Sequence, residues 1–91
     1  MKITNQKYKS IVEELSSIEH QRWSNWQSYV HEQCLQTPEG NLIIPANCVE
    51  RWNRQISTPY SQLTESEKQS DRDQVNLYLP HLMDMLGIKR D

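Results

Sequence analysis

The 91-residue sequence contains no phenylalanine and only two glycines. Without phenylalanine, the three tryptophans and four tyrosines must supply much of the bulk of a hydrophobic core. With so few glycines, the chain has no glycine-rich turn of the kind that cradles phosphates in P-loop proteins. Two domains of ordinary size do not fit this length, so we expect residues 1–91 to form one small domain with a modest core.

Neither sign of charge dominates the sequence. Ten Lys and Arg residues oppose twelve Asp and Glu residues, which gives a formal net charge of −2. This balance lacks the basic excess that is typical of proteins binding duplex nucleic acid. No apolar run approaches the roughly 20 residues that span a bilayer, and residues 1–7 lack the apolar centre of a signal peptide. We therefore expect a cytoplasmic protein with reduced thiols and no membrane attachment.

The only two cysteines, Cys34 and Cys48, do not form a Cys-x-x-Cys pair, which argues against a redox or zinc motif. His31 lies three residues before Cys34 and offers a third ligand for a shared metal. A structural zinc site needs four closely spaced ligands, however. The favoured interpretation is two small, buried, free thiols, with no metal and no other cofactor.

Helical periodicity dominates the first third of the chain. Apolar residues recur mostly at three- and four-residue steps from Tyr8 to Leu35, which predicts one long amphipathic helix. A turn cluster then begins at Thr37, and the short apolar run 42–44 is consistent with an extended segment. Pro45 suits the first turn of a short second helix, which the Thr58-Pro59 pair should end.

The third helix has the clearest start signal in the sequence. Thr64 is a good N-cap, and Glu67 three residues later completes a capping box. Pro80 removes one backbone hydrogen bond and should kink or split this helix, while Gly87 predicts its end. The expected fold is therefore mainly α, with about three helices and a short extended segment between the first and the second.

Two charged clusters lie beside the predicted apolar stripes. Glu19 and His20 belong to the first helix, and Asp71 and Arg72 belong to the third. If these helices pack together, Glu19 is expected to pair with Arg72, and Asp71 with His20 or Arg22. The favoured role is structural, because ion pairs at the rim of an aromatic core fix helix register.

The same cluster holds the only candidate for catalysis, and it is a poor one. Adjacent helical residues do not face each other, so Glu19 and His20 cannot act on one atom unless another helix arranges them. We therefore expect a protein without enzymatic activity.

The chain resembles the RyR repeat, a small helical module found in pairs in ryanodine receptors and as isolated domains in bacteria and phages. The family has His and Trp on its first helix, Pro-Tyr before the next, and Glu-Lys followed by Asp-Arg at that helix's start. The matching residues lie within 15–82, and they are Ile18 to Trp23, Trp52, Thr58 to Leu63, Glu67-Lys68 and Asp71-Arg72. Between Tyr29 and Ile56 the chain lacks the Gly-Trp-x-Tyr-Gly segment of receptor repeats, so it is more similar to short phage-like members.

The resemblance implies a ligand-binding module that senses or sequesters a nucleotide-derived signal in a bacterial or phage context. Such a ligand is expected where the first helix passes the Pro59-Tyr60 turn. There, Trp52 and Tyr60 offer flat faces for stacking, and Arg22 and Arg54 offer charge-assisted donors for phosphate. Trp23 and Trp26 are expected in the core. For Trp52 the sequence favours a core position and a role as a stacking platform about equally.

The alternative is a protein-interaction or self-assembling module without a small-molecule ligand. The sequence predicts apolar surface near both ends of the chain, from Tyr8, Ile11 and Leu15 at one end and from Leu82, Met83, Met85 and Leu86 at the other. A homo-oligomer would cover that surface, and it is compatible with ligand binding elsewhere on the chain.

Overall fold

A computed structural model of the chain describes residues 2–91. It confirms a mainly α fold with three helices and a two-stranded hairpin between the first and the second. The elements are α1 (Asn5–Gln33), β1 (Leu35–Gln36), β2 (Leu42–Ile43), α2 (Ala46–Ile56), a single 3₁₀ turn (Tyr60–Gln62) and α3 (Glu65–Leu86). No helix within residues 2–91 combines the length and the apolar character needed to cross a membrane.

The long first helix begins and ends close to its predicted bounds. Thr4 caps α1, because its side-chain oxygen accepts a hydrogen bond from the Lys7 N–H at 3.0 Å. The helix ends at Gln33, two residues before the predicted end, because Leu35 pairs with Ile43 in the antiparallel ladder of β1 and β2. The intervening turn contains Gly40 at φ +91°, a conformation that favours glycine.

The second helix ends where the sequence predicts and begins one residue later. Pro45 is the N-cap of α2 rather than a residue of its first turn. Ile56 is the last helical residue, and the chain then extends through Pro59 to the 3₁₀ turn. The end before Thr58-Pro59 follows from the steric restriction that a proline places on the preceding residue.

The third helix has the predicted capping box. The Glu67 N–H donates to the Thr64 hydroxyl at 3.2 Å, and the Thr64 N–H donates to the Glu67 carboxylate at 3.0 Å. At the other end, Gly87 adopts φ +67° and the Ile88 N–H donates to the Met83 carbonyl at 2.9 Å.

Pro80 does not split α3, so that alternative is wrong. The helix is assigned without interruption from Glu65 to Leu86. Proline at this position removes a single hydrogen bond to the carbonyl four residues earlier, on Asn76. Both Asn76 and Pro80 are exposed, so water can satisfy the freed carbonyl.

Helices α1 and α3 run antiparallel, and α2 packs near one end of the pair. At the end of the pair that is farther from α2, Nε2 of His81 in α3 lies 3.0 Å from Oε2 of Glu14 in α1. At the other end, Arg22 of α1 and Gln74 of α3 line the same cleft. The ring of Trp52 in α2 lies there too, with its centroid 6.0 Å from that of Trp26. The three helices therefore meet around the C-terminal half of α1.

The hydrophobic core is very small. Among residues 2–91 only Cys48 is buried, with 4% of its surface exposed. The expectation of a tryptophan core on α1 is wrong, because Trp23 and Trp26 retain 57% and 50% exposure. One reason is geometric: α2, with 11 residues, is about 16 Å long and cannot cover the whole of α1, which has 29 residues and is about 43 Å long. Trp26 keeps half of its surface exposed even though its ring meets that of Trp52.

The molecule is correspondingly extended. It measures 52 × 34 × 20 Å, and its radius of gyration is 17.8 Å, whereas about 12 Å is usual for a compact domain of this length. Its accessible surface is 7795 Å², compared with about 5,500 Å² for a compact monomer of this mass. Each chain thus exposes about 2,200 Å² more than a compact fold of its size would.

The capping box makes α3 sensitive to one side chain. We expect Thr64→Ala to lower the free energy of unfolding by about 1 kcal/mol, because the Glu67 N–H loses its acceptor. Thr64→Ser keeps a hydroxyl at the same place and should retain most of the stability. Urea denaturation followed by circular dichroism measures both variants. Equal losses for Ala and Ser would show that the cap contributes nothing.

Candidate functional site

The most distinctive site is a cleft of about 520 Å³ at the junction of the three helices. We call it the aromatic cleft. Its main lining residues are Arg22, Trp26, Tyr29, Arg51, Trp52 and Asp71. A second depression of about 560 Å³ adjoins it and shares Trp26, Arg51 and Asp71.

Three aromatic rings form one wall of the aromatic cleft. Trp26 and Tyr29 are three residues apart on α1, so they project from the same face of the helix and stack at 5.4 Å. Trp52 of α2 meets both rings at a tilt of 59° and 57°, with centroid distances of 6.0 and 6.4 Å. These distances and tilts are typical of stabilising aromatic pairs. The rings join α2 to α1 and still present partly exposed faces to the cleft.

Two arginines give the cleft its positive charge. The Arg51 guanidinium lies 5.8 Å from the Trp52 ring centroid, and its Nη2 is 3.5 Å from the Tyr29 hydroxyl. Arg22 donates from Nη1 to the Glu19 carboxylate at 2.6 Å, while its Nε is shielded from water and has no partner within residues 2–91. Asp71 adds a carboxylate to the same lining. The site therefore combines flat apolar faces with hydrogen-bond donors and one acceptor.

The structure brings together two of the four residues expected to bind a ligand. Arg22 and Trp52 line the aromatic cleft. Arg54 lies outside that lining and is joined to Glu67 of α3 by a salt bridge. Tyr60 is also outside, with its ring 5.9 Å from the Lys68 ammonium nitrogen. The Pro59-Tyr60 turn is thus not a wall of this cleft.

Sequence reasoning missed Trp26 and Tyr29 as cleft residues, and Arg51 is not among the four residues that it expected to bind a ligand. Their signal was present in the spacing, since Trp26 and Tyr29 are separated by one helical step. The contact with Trp52 could not be predicted from the sequence, because 22 residues that include a hairpin lie between Tyr29 and Trp52.

The expected ion pairs between α1 and α3 are wrong. Glu19 pairs with Arg22 of its own helix, and Arg72 pairs with Glu65 of its own helix at 3.1 Å. Local partners at short helical spacing are available without any tertiary packing, which is why they form. The polar contact that does join the two helices is that of the Glu14 carboxylate with the His81 ring.

The remaining two members of the expected clusters have other surroundings. His20 stacks on Trp23 of the same helix, with centroids 6.2 Å apart and planes 20° from parallel. Asp71 faces the aromatic cleft, where it and Arg22 are both lining residues without a salt bridge between them.

Both cysteine thiols are free, Cys48 buried and Cys34 half-buried. In the part of the chain that the structure describes, no three His, Cys, Asp or Glu side chains are grouped so that they could hold a metal ion.

Glu67 connects α2 with the start of α3 beside the second depression. Its carboxylate accepts hydrogen bonds from Arg54, from the Gln55 amide at 2.7 Å and from the Thr64 N–H at 3.0 Å. The Arg54 bond, followed by the Thr64 backbone bond, lowers the pKa of Glu67 to about 2. The same contact raises the pKa of Arg54.

Stability should therefore fall in acid through Glu67. A carboxyl whose pKa is lower in the folded state stabilises the fold above its unfolded pKa, which is near 4.5, and that contribution is lost as the pH falls toward 2. We expect Glu67→Gln to reduce the pH dependence of unfolding between about pH 4.5 and pH 2. Urea denaturation at several pH values measures it, with Glu39→Gln in the exposed turn as the control. An unchanged acid profile in Glu67→Gln would contradict the assignment.

Comparison of the chain with protein-family models, with curated proteins and with solved structures finds no match. The resemblance to the RyR repeat thus stays a prediction that depends on the residues that carry it.

Proposed function

We propose that the protein is a non-enzymatic helical interaction module whose hydrophobic core is completed by a partner protein. The observation that carries this proposal is the burial pattern: among the described residues 2–91, only Cys48 is buried. A domain stabilised by its own core buries many apolar side chains from each of its helices. Here the apolar stripes of α1 and α3 are formed but remain mostly half-buried or exposed.

The surplus of exposed surface supports the same proposal. About 2,200 Å² per chain exceeds the surface that one partner contributes to a standard protein interface, which is about 800 Å². The surplus counts polar and apolar atoms together, and exposed large apolar side chains such as Tyr8, Trp23 and Ile56 contribute to it. A protein partner would remove such side chains from water.

The absence of enzymatic activity is part of the proposal. Among the described residues that line the aromatic cleft, none is a histidine or a cysteine. Glu19, the acidic half of the candidate catalytic pair, is engaged with Arg22, and His20 stacks on Trp23. An accessory module of the RyR type would have the same character, since those repeats belong to larger assemblies.

Small-angle X-ray scattering coupled to size-exclusion chromatography tests the partner-completed core. We expect the isolated monomer, separated at low concentration, to keep a radius of gyration well above the roughly 12 Å of a compact domain. Formation of the native complex should remove the exposed apolar surface, which binding of a hydrophobic dye would report. A monomer that scatters as a compact particle and binds no dye would show that its core is already complete.

A second candidate function is binding of a planar, phosphate-bearing small molecule in the aromatic cleft. The observation that favours it is the shielded Nε of Arg22, which has no partner within residues 2–91 although it is a strong donor. Arg51 lies in the same cleft without a carboxylate partner among the described residues. A nucleotide-like ligand would stack on Trp52 and accept hydrogen bonds from both guanidinium groups.

Calorimetric titration with a panel of nucleotides and cyclic dinucleotides tests this candidate. If the cleft is the site, Arg51→Gln should weaken binding by about ten- to a hundredfold, because hydrogen bonds to charged groups are worth roughly 1.5–3 kcal/mol. Arg90→Gln removes the same charge outside the cleft and should leave binding unchanged. Equal affinities in both variants would place the ligand elsewhere. If no member of the panel binds, the ligand-binding candidate is contradicted and protein interaction is the single candidate function.

A further inference from the structure

The apolar stripes of α1 and α3 face the same side of the helix pair. On each helix, the stripe is rotated by roughly 100–160° from the residue that meets the other helix, Glu14 on α1 and His81 on α3. Because the helices are antiparallel, the two rotations turn toward one side. We call this surface the open face, and its residues are Tyr8, Val12, Leu15, Val75, Leu79 and Leu86.

Exposure agrees with this placement. On α1, Tyr8 and Val12 of the open face are exposed, and Leu15 at its edge is half-buried. Ile18, which is only about 40° from Glu14 around the helix, is also half-buried. On α3, Leu79 and Leu86 are likewise exposed. The helices therefore meet along one edge of their stripes and leave the other edges uncovered.

The second helix covers only the C-terminal part of the α1 stripe, which indicates that a helix can pack on this surface. Trp52 of α2 packs on Trp26 and Tyr29, which belong to the C-terminal part of the same α1 stripe. In that region the stripe has a third helix to cover it. No other element of the described chain covers the rest of the stripe, which runs from Tyr8 to Leu15 on α1 and from Val75 to Leu86 on α3.

We propose that a second copy of the chain covers the open face, so that α1 and α3 of two chains form an antiparallel four-helix bundle. This inference rests on the proposed function and names its partner. A second copy suits this face, because a two-fold axis pairs a surface with itself, so that the apolar residues of each open face meet those of the other.

The distribution of charge selects the antiparallel arrangement. The outer ends of the helix pair, residues 2–12 and 82–91, carry five basic and two acidic side chains. The inner parts, residues 13–27 and 65–81, carry seven acidic and three basic side chains. An antiparallel dimer places the basic end of each chain beside the acidic part of the other, whereas a parallel dimer places like charges together.

Two leucines of α3 provide a matched pair of variants. Leu79 belongs to the open face, and Leu77 points about 160° away from it and is 68% exposed. We expect the native protein to have twice the 10.8 kDa chain mass in multi-angle light scattering. Leu79→Lys should weaken dimerisation at least about tenfold, because it would bury a charge in the interface, and Leu77→Lys should not. Helix content from circular dichroism controls for folding, and Val12→Lys is a second variant on the other helix.

Cross-linking tests the orientation of the two chains. Zero-length coupling of carboxylates to lysines in a mixture of isotopically light and heavy chains identifies the links between copies. Antiparallel pairing predicts links from Lys7 or Lys9 to acidic residues of the inner parts. Links confined to the basic ends of the two chains would overturn that arrangement.

The outcomes separate this inference from the proposed function. A dimer disrupted by Leu79→Lys alone supports the inference, and a dimer that both variants leave intact overturns the open face as its interface. A monomer with a radius of gyration near 17.8 Å overturns self-association and agrees with the proposed function, in which a different protein is then the partner. A compact monomer near 12 Å overturns both.

Discussion

The packing of Trp52 on Trp26 and Tyr29 is the contact on which the arrangement of the three helices depends. It joins α2 to α1 across the hairpin, and the Arg54–Glu67 salt bridge then connects α2 with the start of α3. Aromatic rings suit this role because each buries a large area and tolerates tilted geometry. The aromatic cleft is a direct consequence, since tilted rings that meet at their edges leave part of each face uncovered.

The unequal lengths of the helices explain the rest of the architecture. A helix of 11 residues cannot cover one of 29, so the aromatic junction organises one end of the molecule and leaves the other as a two-helix arm. Two antiparallel helices with one shared apolar side form half of a four-helix bundle. The large surface and the large radius of gyration are therefore properties of a two-helix arm along which α2 does not extend.

The two candidate functions use overlapping parts of the molecule and are physically compatible. The aromatic cleft lies at the three-helix junction, whereas the open face runs along the arm toward Tyr8 and Leu86. The inner parts of α1 and α3 belong to both regions, because Arg22 and Asp71 line the cleft within the segments that an antiparallel copy would approach. An assembled dimer would thus restrict solvent access to the cleft and strengthen its charge-assisted hydrogen bonds.

Most element boundaries were determined by the sequence itself, because caps and breakers act through a few neighbouring residues. Thr64 with Glu67 starts α3, Gly87 ends it, and Pro59 ends the preceding helical segment, as predicted. Pro80 shows the limit of such signals, since a single lost hydrogen bond on an exposed helix face does not override the turns on either side. The apolar periodicity likewise predicted the stripes of α1 and α3.

Only the tertiary structure decided which parts of those stripes are covered and which charged groups meet. The sequence predicted that Glu19 would meet Arg72, but short helical spacings give each a nearer partner. Likewise, the aromatic cleft depends on where the hairpin directs α2, which periodicity within a helix does not encode. Local spacing specifies which residues share a helix face, whereas the relative rotation and length of packed helices determine what that face contacts.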